Sequence, residues 1–271
     1  MDISTGLLLL LIGIIAGGYG TIVGAGGGFI FVPVLLMVFH LKPEVAAGSG
    51  LVIVLINAIS GVVGYARKGQ INYRMGMTLA FGALPGSFIG FWLLQLYSSN
   101  FFYILFASIL VCLGIFLMMK NSSVTLKRKL AISEGDRDGL SLHKAEIESV
   151  DIPLVQSKWL LPLGFIMGIL SSYLGIGGGW LLVPILIYLF HVSTHQATAT
   201  SIFSLCIYSS AGVLLHLYYG SFDWMTIIWG GLGVMVGAQL GVILSQKIPG
   251  KVVLQMLSVL LIIIGFRMYL N

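Results

Sequence analysis

Carboxylates are almost missing from the apolar part of this chain. Of nine Asp and Glu in 271 residues, only Asp2, Glu44 and Asp223 lie outside the stretch from Lys120 to Lys158. Such scarcity argues against an acid proton relay or a Na⁺ cage inside the fold. Cysteine is equally sparse. Cys112 and Cys206 sit in separate apolar runs, which gives neither a disulfide framework nor a cysteine metal site. No His/Cys/Asp/Glu spacing of a metal cluster or a nucleophile–base pair occurs, so neither a cofactor nor an enzyme active site is expected. Charged residues make up 8% of the chain and hydrophobic ones 58%, and the mean hydropathy is +1.04. A soluble domain would have to build its surface from those apolar side chains. The excess charge of +5 falls at the ends of apolar runs with no basic stripe. The expected partner is therefore a lipid bilayer, not a nucleic acid.

What the chain does have is a repeat. Gly24-Ala-Gly-Gly-Gly-Phe-Ile-Phe-Val-Pro33 returns as Gly175-Ile-Gly-Gly-Gly-Trp-Leu-Leu-Val-Pro184, an offset of 151 residues. At the same offset Gly13 falls on Gly164, Gly61 on Gly212, Gly86 on Gly237 and His40 on His191. Duplicated halves with glycine- and proline-broken apolar segments point to a transporter binding site. Residues 1–120 form the first repeat, 121–158 a charged linker and 159–271 the second repeat. Within the linker, 140–150 is compatible with a short helix.

Apolar runs cover about 6–23, 28–40, 44–66, 75–97 and 101–119, then about 159–174, 179–191, 195–217, 224–246 and 251–270. At 1.5 Å per residue the third to fifth runs of each copy cross a hydrocarbon layer of about 30 Å. The second runs would reach only about 16 Å. A short run behind a glycine cluster predicts a broken or re-entrant helix within the membrane. The fold class is all-α: a polytopic transmembrane bundle of two inverted-topology repeats, each with a glycine-rich re-entrant helix. The N-terminal run reads as a retained span, not a signal peptide, because it lacks a basic leader.

Lys and Arg counts set the orientation. The basic 120–158 segment belongs in the cytoplasm, which places 66–74 inside as well and both termini outside. Matched loops carry opposite bias: 66–74 is basic and 217–225 is not, while 97–100 is uncharged and 247–251 is basic. Copies inserted upside down relative to each other would produce that pattern.

Gly26, Gly27 and Gly28, and Gly177, Gly178 and Gly179, leave the main chain bare just before a helical run. Free amides at the positive end of a helix dipole suit an anion. Ser49, Thr200 and Ser201 supply neutral hydroxyls at the start of each third run; capping those helices is the structural alternative. Paired glycines such as Gly86/Gly90 and Gly237/Gly241 read as helix-packing residues. Asn57 and Gln239 read as interhelical hydrogen-bonding amides, and His40, His191 and His195 as interfacial. The substrate-binding set is thus Gly26, Gly27, Gly28, Ser49, Gly177, Gly178, Gly179, Thr200 and Ser201.

On the doubled Gly-x-Gly-Gly-Gly-x₄-Val-Pro pattern, and on His191 followed by Ala197-Thr198-Ala199-Thr200-Ser201, the chain resembles the sulfite exporter TauE/SafE family, or toluene-sulfonate uptake permeases. The resemblance implies an inner-membrane permease for sulfite or another small sulfur-containing anion such as an organosulfonate, working by alternating access. An anion channel using the same glycine loops is the alternative. The first copy reads Ala47-Gly48-Ser49-Gly50 and lacks the paired hydroxyls of the second.

Overall fold

The computed structural model describes residues 3–96, 99–133, 154–219 and 222–269. Their regular structure is helical throughout. The helices are α1 (Ile3–Val23), α2 (Gly28–Met37), α3 (Pro43–Arg67), α4 (Tyr73–Leu96) and α5 (Ser99–Ser133), then α6 (Leu154–Leu174), α7 (Gly179–Tyr188), α8 (Thr194–Tyr219), α9 (Trp224–Ser245) and α10 (Gly250–Tyr269). Every helix of the second set starts 151 residues after its counterpart: Ile3 and Leu154, Gly28 and Gly179, Pro43 and Thr194, Tyr73 and Trp224, Ser99 and Gly250. Helix α5 continues to Ser133, into the segment read as a linker from 121 onward. The short helix suggested for 140–150 lies outside the described residues.

Seven described helices are long and apolar enough to cross a bilayer: α1, α3, α4, the apolar part of α5, α8, α9 and α10. Their outward faces carry hydrocarbon. Leu7, Leu11 and Ile15 make an exposed stripe on α1, and Phe81, Phe88 and Trp92 do the same on α4. In water such a surface would aggregate; in lipid it is solvated.

Little drives apolar helices together in lipid, so close backbone approach must do it. Glycine provides that approach along two equivalent seams. Where α1 meets α9, a Cβ on Gly17 would lie 2.5 Å from the Val234 carbonyl oxygen, and one on Gly237 would lie 2.2 Å from that of Ile14. Where α6 meets α4, a Cβ on Gly86 would lie 2.2 Å from the Phe165 oxygen, and one on Gly168 would lie 2.1 Å from that of Ala83. Each seam joins a helix of one copy to a helix of the other. The copies are contiguous in sequence and interleaved in space.

The same contacts give directions. Gly114 faces Ser258 and Ile262, whereas Gly265 faces Ala107 and Val111, so α5 and α10 run antiparallel. Gly61 meets Ile202 and Gly212 meets Leu51, so α3 and α8 also run antiparallel. By contrast α1 runs parallel to α9, and α4 to α6.

Candidate functional site

Loops 24–27 and 175–178 interrupt the helices at glycine. Gly24, Gly26 and Gly27 have φ of 83°, 80° and 75°, and Gly175 and Gly177 both have φ of 71°, a region that costs other residues about 1–2 kcal/mol. The turn sends the chain back on itself. Gly27 abuts the Ala16 carbonyl, and Phe31 reaches Gly230, which in turn lies against Gly13, so α2 descends along α1. Equivalently, Gly178 sits beside Met167 of α6. Each pair is a re-entrant hairpin. Its ten-residue return helix is about 15 Å long, half the hydrocarbon thickness.

The two tips meet. A Cβ on Gly28 would lie 2.9 Å from Ile176 Cα, and one on Gly179 would lie 2.2 Å from the Gly24 carbonyl oxygen. Gly26 and Gly177 both face Val54 and Leu205, which are themselves equivalent positions at the crossing of α3 and α8. Residues 20–29 and 171–180 are all buried. No side chain caps α2 or α7. The Gly27 oxygen accepts from Ile30 and Phe31, and the Gly178 oxygen from Leu181 and Leu182. No loop hydrogen bond among the described residues is donated by the amides of Gly28, Phe29, Gly179 or Trp180, leaving two sets of bare donors back to back.

Of the three hydroxyls, Ser201 packs on the opposite copy's glycine loop, while Ser49 and Thr200 bond to the residues that precede α9 and α4. Ser201 Oγ donates to the Gly24 oxygen at 2.9 Å and lies where a Cβ on Gly179 would come within 2.9 Å. Ser49 Oγ accepts the Asp223 amide at 3.0 Å, and Thr200 Oγ1 accepts the Asn72 amide at 3.1 Å. These two do not cap α3 and α8, whose N-terminal residues lie a turn or more earlier. They fasten instead the residues that open α9 and α4. Each keeps its own O–H to donate.

Both amides flagged in the sequence make interhelical bonds. Gln239 Nε2 donates to the Ser60 oxygen and Oγ at 2.8 and 2.9 Å, and Asn57 Oδ1 accepts from Thr21 Oγ1 at 3.1 Å. His40 and His191 are exposed and hold left-handed φ of 49° and 54°. They end the return helices, letting the Leu41 amide reach the Leu35 oxygen and the Val192 amide that of Leu186.

Three residues around the hairpins, Tyr208, Trp180 and His216, escaped the sequence reading. Tyr208, the counterpart of Asn57, accepts the Gly178 amide on its hydroxyl at 3.1 Å. Asn57 Nδ2 and Trp180 Nε1 are buried donors with no acceptor. His216, the counterpart of Tyr65, is wholly buried; neither nitrogen makes a hydrogen bond of good geometry, and the Ser172 backbone is the polar group within reach. The offset alone could have flagged Tyr208 and His216, since each replaces a different polar type in the other copy.

The sequence has counterparts among known proteins. The model of the family described as Sulfite exporter TauE/SafE matches residues 9–268. Probable membrane transporter protein YunE of Bacillus subtilis (strain 168) is 28% identical, covering 97% of this chain and 96% of its own. A probable membrane transporter protein of Methanocaldococcus jannaschii is also 28% identical over 97% and 95%. YjnA of Bacillus subtilis (strain 168), named likewise, is 25% identical over 96% and 98%. No solved structure matches the chain.

Proposed function

The chain belongs to the sulfite exporter TauE/SafE family of membrane transporters, and on that premise we propose that it carries a small sulfur-containing oxyanion, sulfite or an organosulfonate. The observation that carries this reading is the meeting of two uncapped half-helix N-termini at the centre of the bundle. Their dipoles and bare amides attract negative charge without a fixed cation. An anion held only by neutral donors can leave again, which transport requires. The amides of Gly27, Gly28, Gly177 and Gly179 bind it, with Ser49, Thr200 and Ser201 completing the shell. Those of Gly26 and Gly178, held in this conformation by the Gly20 oxygen and the Tyr208 hydroxyl, join only as the loops open.

Antiparallel pairing of the equivalent helices α3/α8 and α5/α10 supports copies of opposite orientation. On this reading the Ile3 and Tyr269 ends lie on the outer face of the inner membrane and the segment between α5 and α6 in the cytoplasm. Both loops are sealed in this conformation. A channel would need a continuous wet path past them, so a carrier that rocks one half against the other fits better.

Counterflow of radiolabelled sulfite in proteoliposomes tests the proposal. Wild type should exchange sulfite saturably, and Gly27→Val or Gly178→Val should abolish exchange in protein that remains folded. Normal exchange by either folded variant would refute the site.

A further inference from the structure

Native proteins pair their buried polar atoms, so a cluster of exceptions marks a place where something binds. One such cluster lies where α6 meets α8. Ser171 Oγ, Ser172 Oγ and Ser209 Oγ are buried without a hydrogen-bond partner, and the buried His216 imidazole has only the Ser172 backbone within reach, with no well-formed bond to either nitrogen. Ser209, Gly212 and His216 share one face of α8 by their spacing. Ser172 Oγ lies 2.9 Å from where a Cβ on Gly212 would stand, which puts the Ser172 and Ser209 hydroxyls and the imidazole in one seam.

We propose that His216, with Ser172 and Ser209 beside it, is a proton-binding station coupled to anion movement. The inference rests on the anion-carrier reading above. Imidazole is the side chain that changes charge near neutral pH, and an ionisable group inside a membrane span marks a proton or substrate path. Among the described histidines, His40 and His191 are exposed and His195 is half-buried at the start of α8, so none of them competes for the interior role.

The surroundings give the imidazole no fixed counter-charge, so its charged form is disfavoured until a negative charge arrives, which is what would couple proton uptake to the anion. Phe91 of α4 meets the imidazole edge-on with ring centroids 4.9 Å apart, and Phe222 lies at 6.4 Å. Leu51 of α3 faces Gly212. Among side chains described on the other packed elements, α1, α6 and α7 contribute no Asp, Glu, Lys, Arg or His. On α3, Glu44 is at the end nearer His216 and Arg67 at the far end; Arg74 on α4 is also at the far end. Asp223 is nearest in sequence, and its carboxylate is engaged by the Thr226 amide and hydroxyl. The seam also connects to the anion loop. The Ser171 carbonyl accepts the Gly175 amide at 2.9 Å, so a proton taken up beside Ser172 acts on the root of the second hairpin.

The test uses the full chain in liposomes loaded with pyranine, with labelled sulfoacetate and methanesulfonate as probes. For wild type, a pH gradient should drive probe accumulation, toward about tenfold per unit for one coupled proton, with matching proton flux. His216→Gln should keep counterflow exchange within about twofold and lose both pH-driven accumulation and proton flux. His216→Tyr, which installs the first copy's residue, should do the same and guards against misfolding of the glutamine variant. Retention of pH-driven accumulation by either variant overturns the proposal, as does loss of exchange in both while folded. A wild type that exchanges the probes but ignores the gradient overturns it alone. A wild type that exchanges neither refutes the carrier reading for these anions, and the proton station with it.

Discussion

Thr21, Asn57 and Tyr65 in the first copy occupy the same three places as Ser172, Tyr208 and His216 in the second, yet the two sets are bonded differently. In the first, Thr21 Oγ1 donates to Asn57 Oδ1 and the Tyr65 hydroxyl donates to the Thr21 carbonyl at 2.9 Å. In the second, Tyr208 turns to the glycine loop and accepts the Gly178 amide, leaving the Ser172 hydroxyl and the His216 imidazole without a well-formed bond. The loops differ in step: Gly27 has φ of 75°, whereas its equivalent Gly178 has φ of −79°. A duplicated scaffold thus links all three side chains of the first set by hydrogen bonds, with Asn57 Nδ2 the donor left over, and leaves the Ser172 hydroxyl and the imidazole without such links in the second. Shared backbone contacts hold the two halves together, and side-chain differences separate their tasks.

The comparison can be broken or sharpened by paired substitutions. The largest effects should be equal. Gly86→Val and Gly237→Val each drive a branched side chain into a carbonyl that a single Cβ would meet at 2.2 Å. Both should cost more than about 3 kcal/mol and remove monodisperse protein from detergent extracts. Unequal yields would mean that the two seams are not equivalent.

The next pair should be unequal. Gly27→Ala forces a side chain into a left-handed backbone and toward the Ala16 oxygen at 2.8 Å, whereas Gly178→Ala has ordinary φ and contacts no closer than 3.0 Å. Thermal unfolding should place Gly27→Ala about 1–2 kcal/mol below Gly178→Ala. A third pair should differ in sign. Tyr65→Phe loses a buried bond and should destabilise by about 1 kcal/mol, while His216→Phe removes two polar atoms that lack a well-formed bond and should be neutral or stabilising. If His216→Phe proves the more damaging, the imidazole has a structural partner. The smallest effect belongs to the helix ends: His40→Gly and His191→Gly each relieve a left-handed residue and should stabilise by about 0.5 kcal/mol.

Much of this architecture was readable because lipid imposes strict rules. Spans announce themselves by length, and glycine clusters such as Gly26–Gly28 break helices wherever they occur. The offset between Gly24 and Gly175 relates every helix start of one copy to one of the other, although the apolar runs placed the starts of α1 and α6 three and five residues late. The packing role of Gly86 and Gly237 was equally plain from spacing. Ser49 and Thr200 were harder, because their hydrogen bonds go to Asp223 and Asn72, more than a hundred residues away and in the other copy. His216 was legible only through the offset, as the counterpart of Tyr65. A lone histidine in an apolar run has no local pattern, and only the packing of α6 on α8 shows that neither nitrogen finds a well-formed bond. Helix α5 ran past residue 120 because charge and serine do not terminate a helix without a glycine or proline stop.

The most direct test of the central claim is to locate a heavy oxyanion in the folded protein. A structure determined with selenite, an anomalous scatterer shaped like sulfite, should place the anion between Gly26–Gly28 and Gly177–Gly179, within hydrogen-bonding reach of the amides that begin α2 and α7. Selenite bound elsewhere, with both loops still shut and unoccupied at saturating concentration, would contradict the account.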